Sequence, residues 1–154
     1  MMSLCCDVLT KLKGKTLVTA ESCTGGGIGA ALTAIPGSSE VFKGGIISYT
    51  NEIKENILGV DGALLREYGA VSEPVAAAMA AGVRKRMAAD VAISVTGLAG
   101  PGGDDFGNPV GTVFIGYADG CCSFAKECHF AGDREDVRRQ AVETALQIVL
   151  ENAK

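Results

Sequence analysis

The stretch TLVTAESCTGGGIGAAL, Thr16–Leu32, decides the fold, because its pattern changes partway along. Thr16 to Ala20 reads as a short strand of β-branched and aliphatic residues. Gly27 to Ile35 reads as a small-residue helix that stops at Pro36-Gly37. Between them, Glu21 to Gly26 place a carboxylate, a hydroxyl, a thiol and glycines at a strand-to-helix junction.

Working outward, Leu4, Val8, Leu9 and Leu12 recur at helical spacing before Gly14 and predict a first helix. On the other side, Gly44 to Thr50 predicts a second strand, and Asn51 is expected to cap a helix through Leu58. Ser72-Glu73-Pro74 opens an alanine-rich helix reaching Ala89, and Val91 to Gly97 is a nearly continuous apolar strand, the kind buried on both faces. Leu98 to Pro109 is a loop. Val110–Ala118 and Cys121–Phe130 flank Asp119-Gly120, a two-residue hairpin signal. A last helix runs from Asp133 to about Asn152, with Val137, Ala141, Ala145, Ile148 and Val149 as its apolar stripe.

This order predicts an α/β fold with a mixed, mostly parallel sheet of about five strands. Strand-helix-strand crossovers leave the first three strands parallel, the fourth runs back, and the fifth returns. Ser22, Tyr49, Gly97 and Asp133-Arg134 then meet at the carboxyl edge, where open α/β sheets bind ligands.

A chain of 154 residues with 47% hydrophobic residues is one domain, residues 1–154, able to bury a core without metals or disulfides. Its formal charge of −4 disfavours a nucleic-acid partner, since the surface as a whole repels phosphodiesters. Arg84-Lys85-Arg86 reads as a solvated helix face, whereas Arg134, Arg138 and Arg139 form a second basic cluster. The opening MMSLCCDVLTKLKG is too short in its apolar run and too mixed in charge for a signal or membrane span, so no membrane partner and a cytoplasmic location are expected. Six cysteines without a CxxC pair, and one histidine, make a metal site a poor expectation and suggest small buried thiols.

The junction admits several readings. A nucleotide-hydrolase phosphate loop needs a lysine after its last glycine, and none is present. Gly25, Gly27 and Ala30 match a G-x-G-x-x-A dinucleotide fingerprint, with Glu52 near the place of a ribose-binding acid, but Glu21 to Thr24 intervene after the strand. A third reading makes Ser22 or Cys23 a nucleophile at a turn, with helix amides facing the oxyanion. The fourth is a plain glycine-rich bend. A serine nucleophile needs a base, and the only histidine, His129, lies within the fifth strand. Tyr49 and Lys54 of SYTNEIK are the remaining candidates. Such a lysine must have its pKa lowered by about three, or about 4 kcal/mol of differential environment, to act near neutrality.

AESCTGG, GSSEVFKGGIISYTNEIKENILGV, GAVSEP, VTGLAGPGG with NPVGTV, and GDREDVRRQAVETAL occur in this order, from about Leu4 to Leu150. Together they resemble the C-terminal domain of the competence/damage-inducible CinA family, also known as nicotinamide-nucleotide amidases. The resemblance implies a three-layer α/β/α sandwich that hydrolyses nicotinamide mononucleotide to nicotinic acid mononucleotide and ammonia, with no cofactor or metal and often as a homodimer. It implies Ser22 as nucleophile, Lys54 as proton acceptor and Tyr49 as the residue that orients the lysine or shares its proton. Amides after Ser22 would hold the oxyanion, and the pyridine nucleotide would lie against Thr24, Gly25 and Gly26 or Gly97, Ala99 and Gly100, with Arg134 as its cation. The alternative is a non-catalytic nucleotide- or partner-binding module. Asn108 stands where the family usually has lysine, Asp104 and Asp105 make that loop more acidic, and Gly27 permits closer helix packing.

Overall fold

The computed structural model describes residues 1–154. Its helices are α1 (Met2–Lys11), α2 (Gly27–Thr33), α3 (Asn51–Asn56), α4 (Gly62–Tyr68), α5 (Glu73–Arg86) and α6 (Arg134–Asn152). Its strands are β1 (Leu17–Glu21), β2 (Phe42–Ile47), β3 (Val91–Gly97), β4 (Thr112–Ala118) and β5 (Ser123–His129). They form one sheet in the order β2-β1-β3-β4-β5. β1 pairs parallel with β2 and β3, whereas β3–β4 and β4–β5 are antiparallel, as the order of elements predicts.

Alternation along the central strands builds two cores. Leu17, Ile93, Val95, Val113 and Ile115 face a layer containing Val8, Leu12, Ile28, Leu32 and Leu146, from α1, α2 and α6. Val18, Ala20 and Ala92 face Val75, Met79 and Val83 of α5, together with Leu65 of α4. Covering both faces lets the central strands be apolar throughout, at about 25 cal/mol for each Å² of apolar surface withdrawn from water. All five expected stripe residues of α6 are buried. Asp133 caps α6 reciprocally with Asp136: the Asp136 amide donates to Asp133 Oδ1 (2.9 Å) and the Asp133 amide to Asp136 Oδ2 (3.0 Å). Gly27 packs as closely as its size allows, because an added Cβ would lie 3.0 Å from Val142 Cγ2 of α6.

Several local expectations are corrected. The second strand starts and ends earlier, at Phe42 and Ile47, and Thr50 rather than Asn51 caps α3, its Oγ1 accepting from the Ile53 amide at 3.4 Å. The β4–β5 connection has four residues instead of two, because Asp119 Oδ1 takes the amides of both Cys121 and Cys122 at 2.7 and 2.8 Å. α4 is a further helix that the sequence pattern does not predict, capped by Asp61 and ended by Gly69. Of the six cysteines, Cys5, Cys23 and Cys128 are buried, but Cys6, Cys121 and Cys122 are exposed. No helix is long and apolar enough to cross a membrane.

Candidate active site

The hydrogen-bond ladder continues one step beyond β1, and this step places Ser22. The Ser22 amide donates to Val95 O of β3 at 2.9 Å, while the Ser48 amide just past β2 donates to Glu21 O at 2.8 Å. Ser22 and the Ser48–Tyr49 segment therefore sit on adjacent strand ends. The short helix α3 then turns Lys54 back toward them.

Lys54 is 1% exposed, among the most buried large side chains of the protein. Its Nζ donates to Ser22 Oγ at 3.0 Å, to Ser48 O at 2.8 Å and to Tyr49 O at 3.4 Å. Burial lowers its pKa to about 8, against a small opposing effect of Cys23. No carboxylate pairs with this amine. In the neutral form two N–H groups can serve the two carbonyls while the lone pair faces the Ser22 hydroxyl. The neighbouring Cys23 thiol moves the other way: burial pushes it up to about 11, leaving almost no thiolate near neutrality. His129 is remote from this chemistry, on β5, with Nε2 against Glu127 Oε2 at 2.6 Å.

The turn after Ser22 differs from expectation in one important respect. Glu21, 2% exposed, turns its carboxylate inward. Oε1 accepts from Thr24 Oγ1 and the Ile28 amide, both at 2.8 Å, and Oε2 accepts from Thr19 Oγ1 and the Gly29 amide, both at 3.1 Å. The N-terminus of α2 is thus already satisfied by an internal anion. Thr24 is 2% exposed and bonded to that anion, so it has no free hydroxyl for a nucleotide. Gly25 and Gly26 have φ of 59° and 98° and form the bend that admits Glu21, and like Thr24 they lie outside the cavity lining. The dinucleotide reading fails for the same reason, and Glu52 points away as an exposed residue of α3. α2 has no capping side chain at Gly26, so a helix start without Ser, Thr, Asp or Asn was the signal that a cap must come from elsewhere.

A cavity of 590 Å³ opens over Ser22 and Lys54, lined also by Tyr49, Gly97, Ala99, Gly100 and Arg134. Of the two glycine-rich turns considered from the sequence, the second is therefore at the cavity. Arg134, at the start of α6, donates through Nη1 to Gly100 O at 2.9 Å and through Nη2 to the Tyr49 hydroxyl at 3.3 Å. That corrects the expected role of the Tyr49 phenol: it meets Arg134, while the Tyr49 backbone carbonyl meets Lys54. The loop acid Asp104 is engaged within its own loop, accepting from Asn108 Nδ2 at 2.7 Å and from the amides of Phe106 and Asn108 at 3.1 Å. Desolvation would raise its pKa, but these hydrogen bonds outweigh it and the net shift is downward. Asn108 also donates to Val71 O at 3.2 Å, fastening the loop to the segment before α5.

Comparison with known proteins agrees with this architecture. The family model described as the CinA C-terminal domain matches residues 2–153. A CinA-like protein of Synechococcus sp. (strain CC9902) is 50% identical over 135 residues, covering 86% of this chain and 32% of that protein. A CinA-like protein of Mycolicibacterium paratuberculosis is 46% identical over 143 residues, covering 90% of this chain and 33% of that protein. The chain thus spans about a third of the length of these curated relatives. Among solved structures, the competence damage-inducible protein A of Klebsiella pneumoniae superposes with a TM-score of 0.95 at 37% identity, covering 98% of this chain and 95% of that one. The competence/damage inducible protein CihA of Agrobacterium tumefaciens gives a TM-score of 0.94 at 38% identity, covering 97% and 93%.

Proposed function

The chain belongs to the CinA C-terminal domain family, and from that premise we propose that it is an amidase converting nicotinamide mononucleotide to nicotinic acid mononucleotide and ammonia. The observation that carries this reading is the 3.0 Å contact between Ser22 Oγ and a buried Lys54 amine whose pKa is lowered to about 8. An uncompensated buried amine costs stability, and its position against a hydroxyl at a cavity floor gives that cost a use.

Lys54 Nζ accepts the Ser22 proton as Oγ attacks the carboxamide carbon. The tetrahedral adduct collapses when Lys54 returns that proton to the nitrogen, which leaves as ammonia, and an ester to Ser22 remains. A water molecule, deprotonated by Lys54, attacks the ester; the acid is released and Lys54 returns the proton to Ser22. Arg134 supplies the cavity's exposed cation for an anionic group on the substrate. The test is ammonia release from nicotinamide mononucleotide by the wild type and by Ser22→Ala. Release by the wild type alone supports the reading, and equal release by both defeats it.

A further inference from the structure

Besides Tyr49, the only aromatic side chain bordering the cavity over Ser22 and Lys54 is Phe106, in the loop between β3 and β4. Phe106 is 49% exposed, yet its ring rests on the main chain at Gly69, where φ is 78°. A Cβ built at Gly69 would stand 2.5 Å from Cδ2, 2.7 Å from Cε2 and 3.0 Å from Cγ of that ring. Three neighbouring ring atoms at such similar distances place the point over a face of the ring, because a point beside the rim would be much farther from the third atom. Gly69 therefore backs one face. The other is the face left to water and the cavity.

The backing is rigid. Three successive carbonyls are each held by a different side chain: Ser72 Oγ donates to Gly69 O at 2.8 Å, Thr96 Oγ1 to Ala70 O at 2.8 Å, and Asn108 Nδ2 to Val71 O at 3.2 Å. Within the loop the Phe106 amide donates to Asp104 Oδ1 at 3.1 Å. A half-exposed ring held in this way needs little further ordering when a flat ligand covers it.

The face of a phenyl ring carries partial negative charge and attracts a cation placed against it. The charged residues that the same loop brings to the cavity, Asp104 and Asp105, are both acids and add to that field. The basic groups stand elsewhere, Lys54 beside Ser22 and Arg134 against Gly100. The carboxamide of the amidase reading is attached to such a cation, since the ring nitrogen of nicotinamide is positively charged once it carries ribose.

We propose that Phe106 is the platform on which the substrate ring stacks, and that with Asp105 it makes the site select carboxamides borne on a positively charged aromatic ring over their neutral counterparts. This rests on the amidase reading for the identity of the ring, but binding tests it without turnover.

The experiment titrates the full chain, followed by NMR, with the ring-N-methylated nicotinamide cation and with meta-toluamide, its neutral isostere. The wild type should prefer the cation. Phe106→Leu should weaken binding of the cation about tenfold and of the neutral compound no more than about threefold, Phe106→Tyr should restore the cation, and Asp105→Asn should weaken the cation alone. In ammonia release from nicotinamide mononucleotide, Phe106→Leu should raise KM about tenfold with kcat within a few-fold. A wild type without preference for the cation, or equal weakening of both compounds in Phe106→Leu, overturns the proposal. Selective binding of the cation by a wild type that releases no ammonia ends the amidase reading and leaves the platform standing; ammonia release with the same KM in wild type and Phe106→Leu does the reverse.

Discussion

Lys54 Nζ lies 3.0 Å from Ser22 Oγ, and 32 residues separate the two along the chain. The nucleophile candidate follows β1, the amine follows β2, and the pairing of those strands brings them together. Removal of the hydroxyl should therefore silence the site. Ser22→Ala is expected to lower ammonia release by about a thousandfold or more while substrate binding stays measurable. Cys23→Ala should retain most of the rate, because its thiol is held in the neutral form by burial. Steady-state assays of the two variants check the assignment, which fails if the cysteine variant is the inactive one.

The pH profile should report the amine. A base must be neutral, so kcat/KM is expected to climb about tenfold per pH unit up to pH about 8 and then level off. Lys54→Arg, permanently charged, should remain inactive throughout. A rate flat from pH 6 to pH 9 would show that no such group titrates.

The same amine links pH to stability. Below about 8 both the folded and unfolded forms of Lys54 are protonated, and the burial penalty is fully present. Between about 8 and the ordinary lysine value of 10.5 the unfolded chain binds the extra proton, so stability rises with pH. Relative to Lys54→Met, the wild type should gain about 3 kcal/mol across that window. Urea denaturation of both proteins at several pH values measures it, and parallel curves would refute it.

Glu21→Gln should be costly despite its similar shape. Each carboxylate oxygen accepts from a backbone amide, at Ile28 and at Gly29, so either orientation of the new side chain sets an NH₂ against an N–H. A loss of about 3 kcal/mol is expected by chemical denaturation. Equal stability would mean that α2 finds another cap.

Arg134 should act on binding. Arg134→Ala is expected to raise KM about tenfold with kcat within a few-fold, the behaviour of a group that holds the ground state and the transition state alike. A fall in kcat at constant KM would place it in the chemistry instead.

The strand directions, with their one reversal at β4, and the gathering of Ser22, Tyr49, Gly97 and Arg134 at one edge were legible because periodicity and crossover connections fix them. The residues alone left Tyr49 and Lys54 as candidate bases and Ser22 or Cys23 as nucleophile; the resemblance singled out Ser22 with Lys54. Glu21 was missed because a carboxylate at a strand end reads as solvent-facing; only the uncapped start of α2 hinted otherwise. Thr24, Gly25 and Gly26 looked like ligand groups because glycine-rich bends cradle phosphate when their amides are free, and here an internal carboxylate has taken the helix end. The four-residue β4–β5 turn escaped notice because Asp119 reaches two successive amides, a matter of side-chain geometry.

Ser22 and Ser48 hang from neighbouring rungs of the sheet, whereas Gly100 and Asp104 belong to the long loop that borders the cavity. On the proposed amidase reading, bond breaking and molecular choice then fall to separate parts of the architecture. On the same reading, divergence can rewrite the loop, residue by residue, to admit a different amide without disturbing Ser22 and Lys54. In such a lineage the acquisition of a new diet would require neither a new engine nor a new chassis.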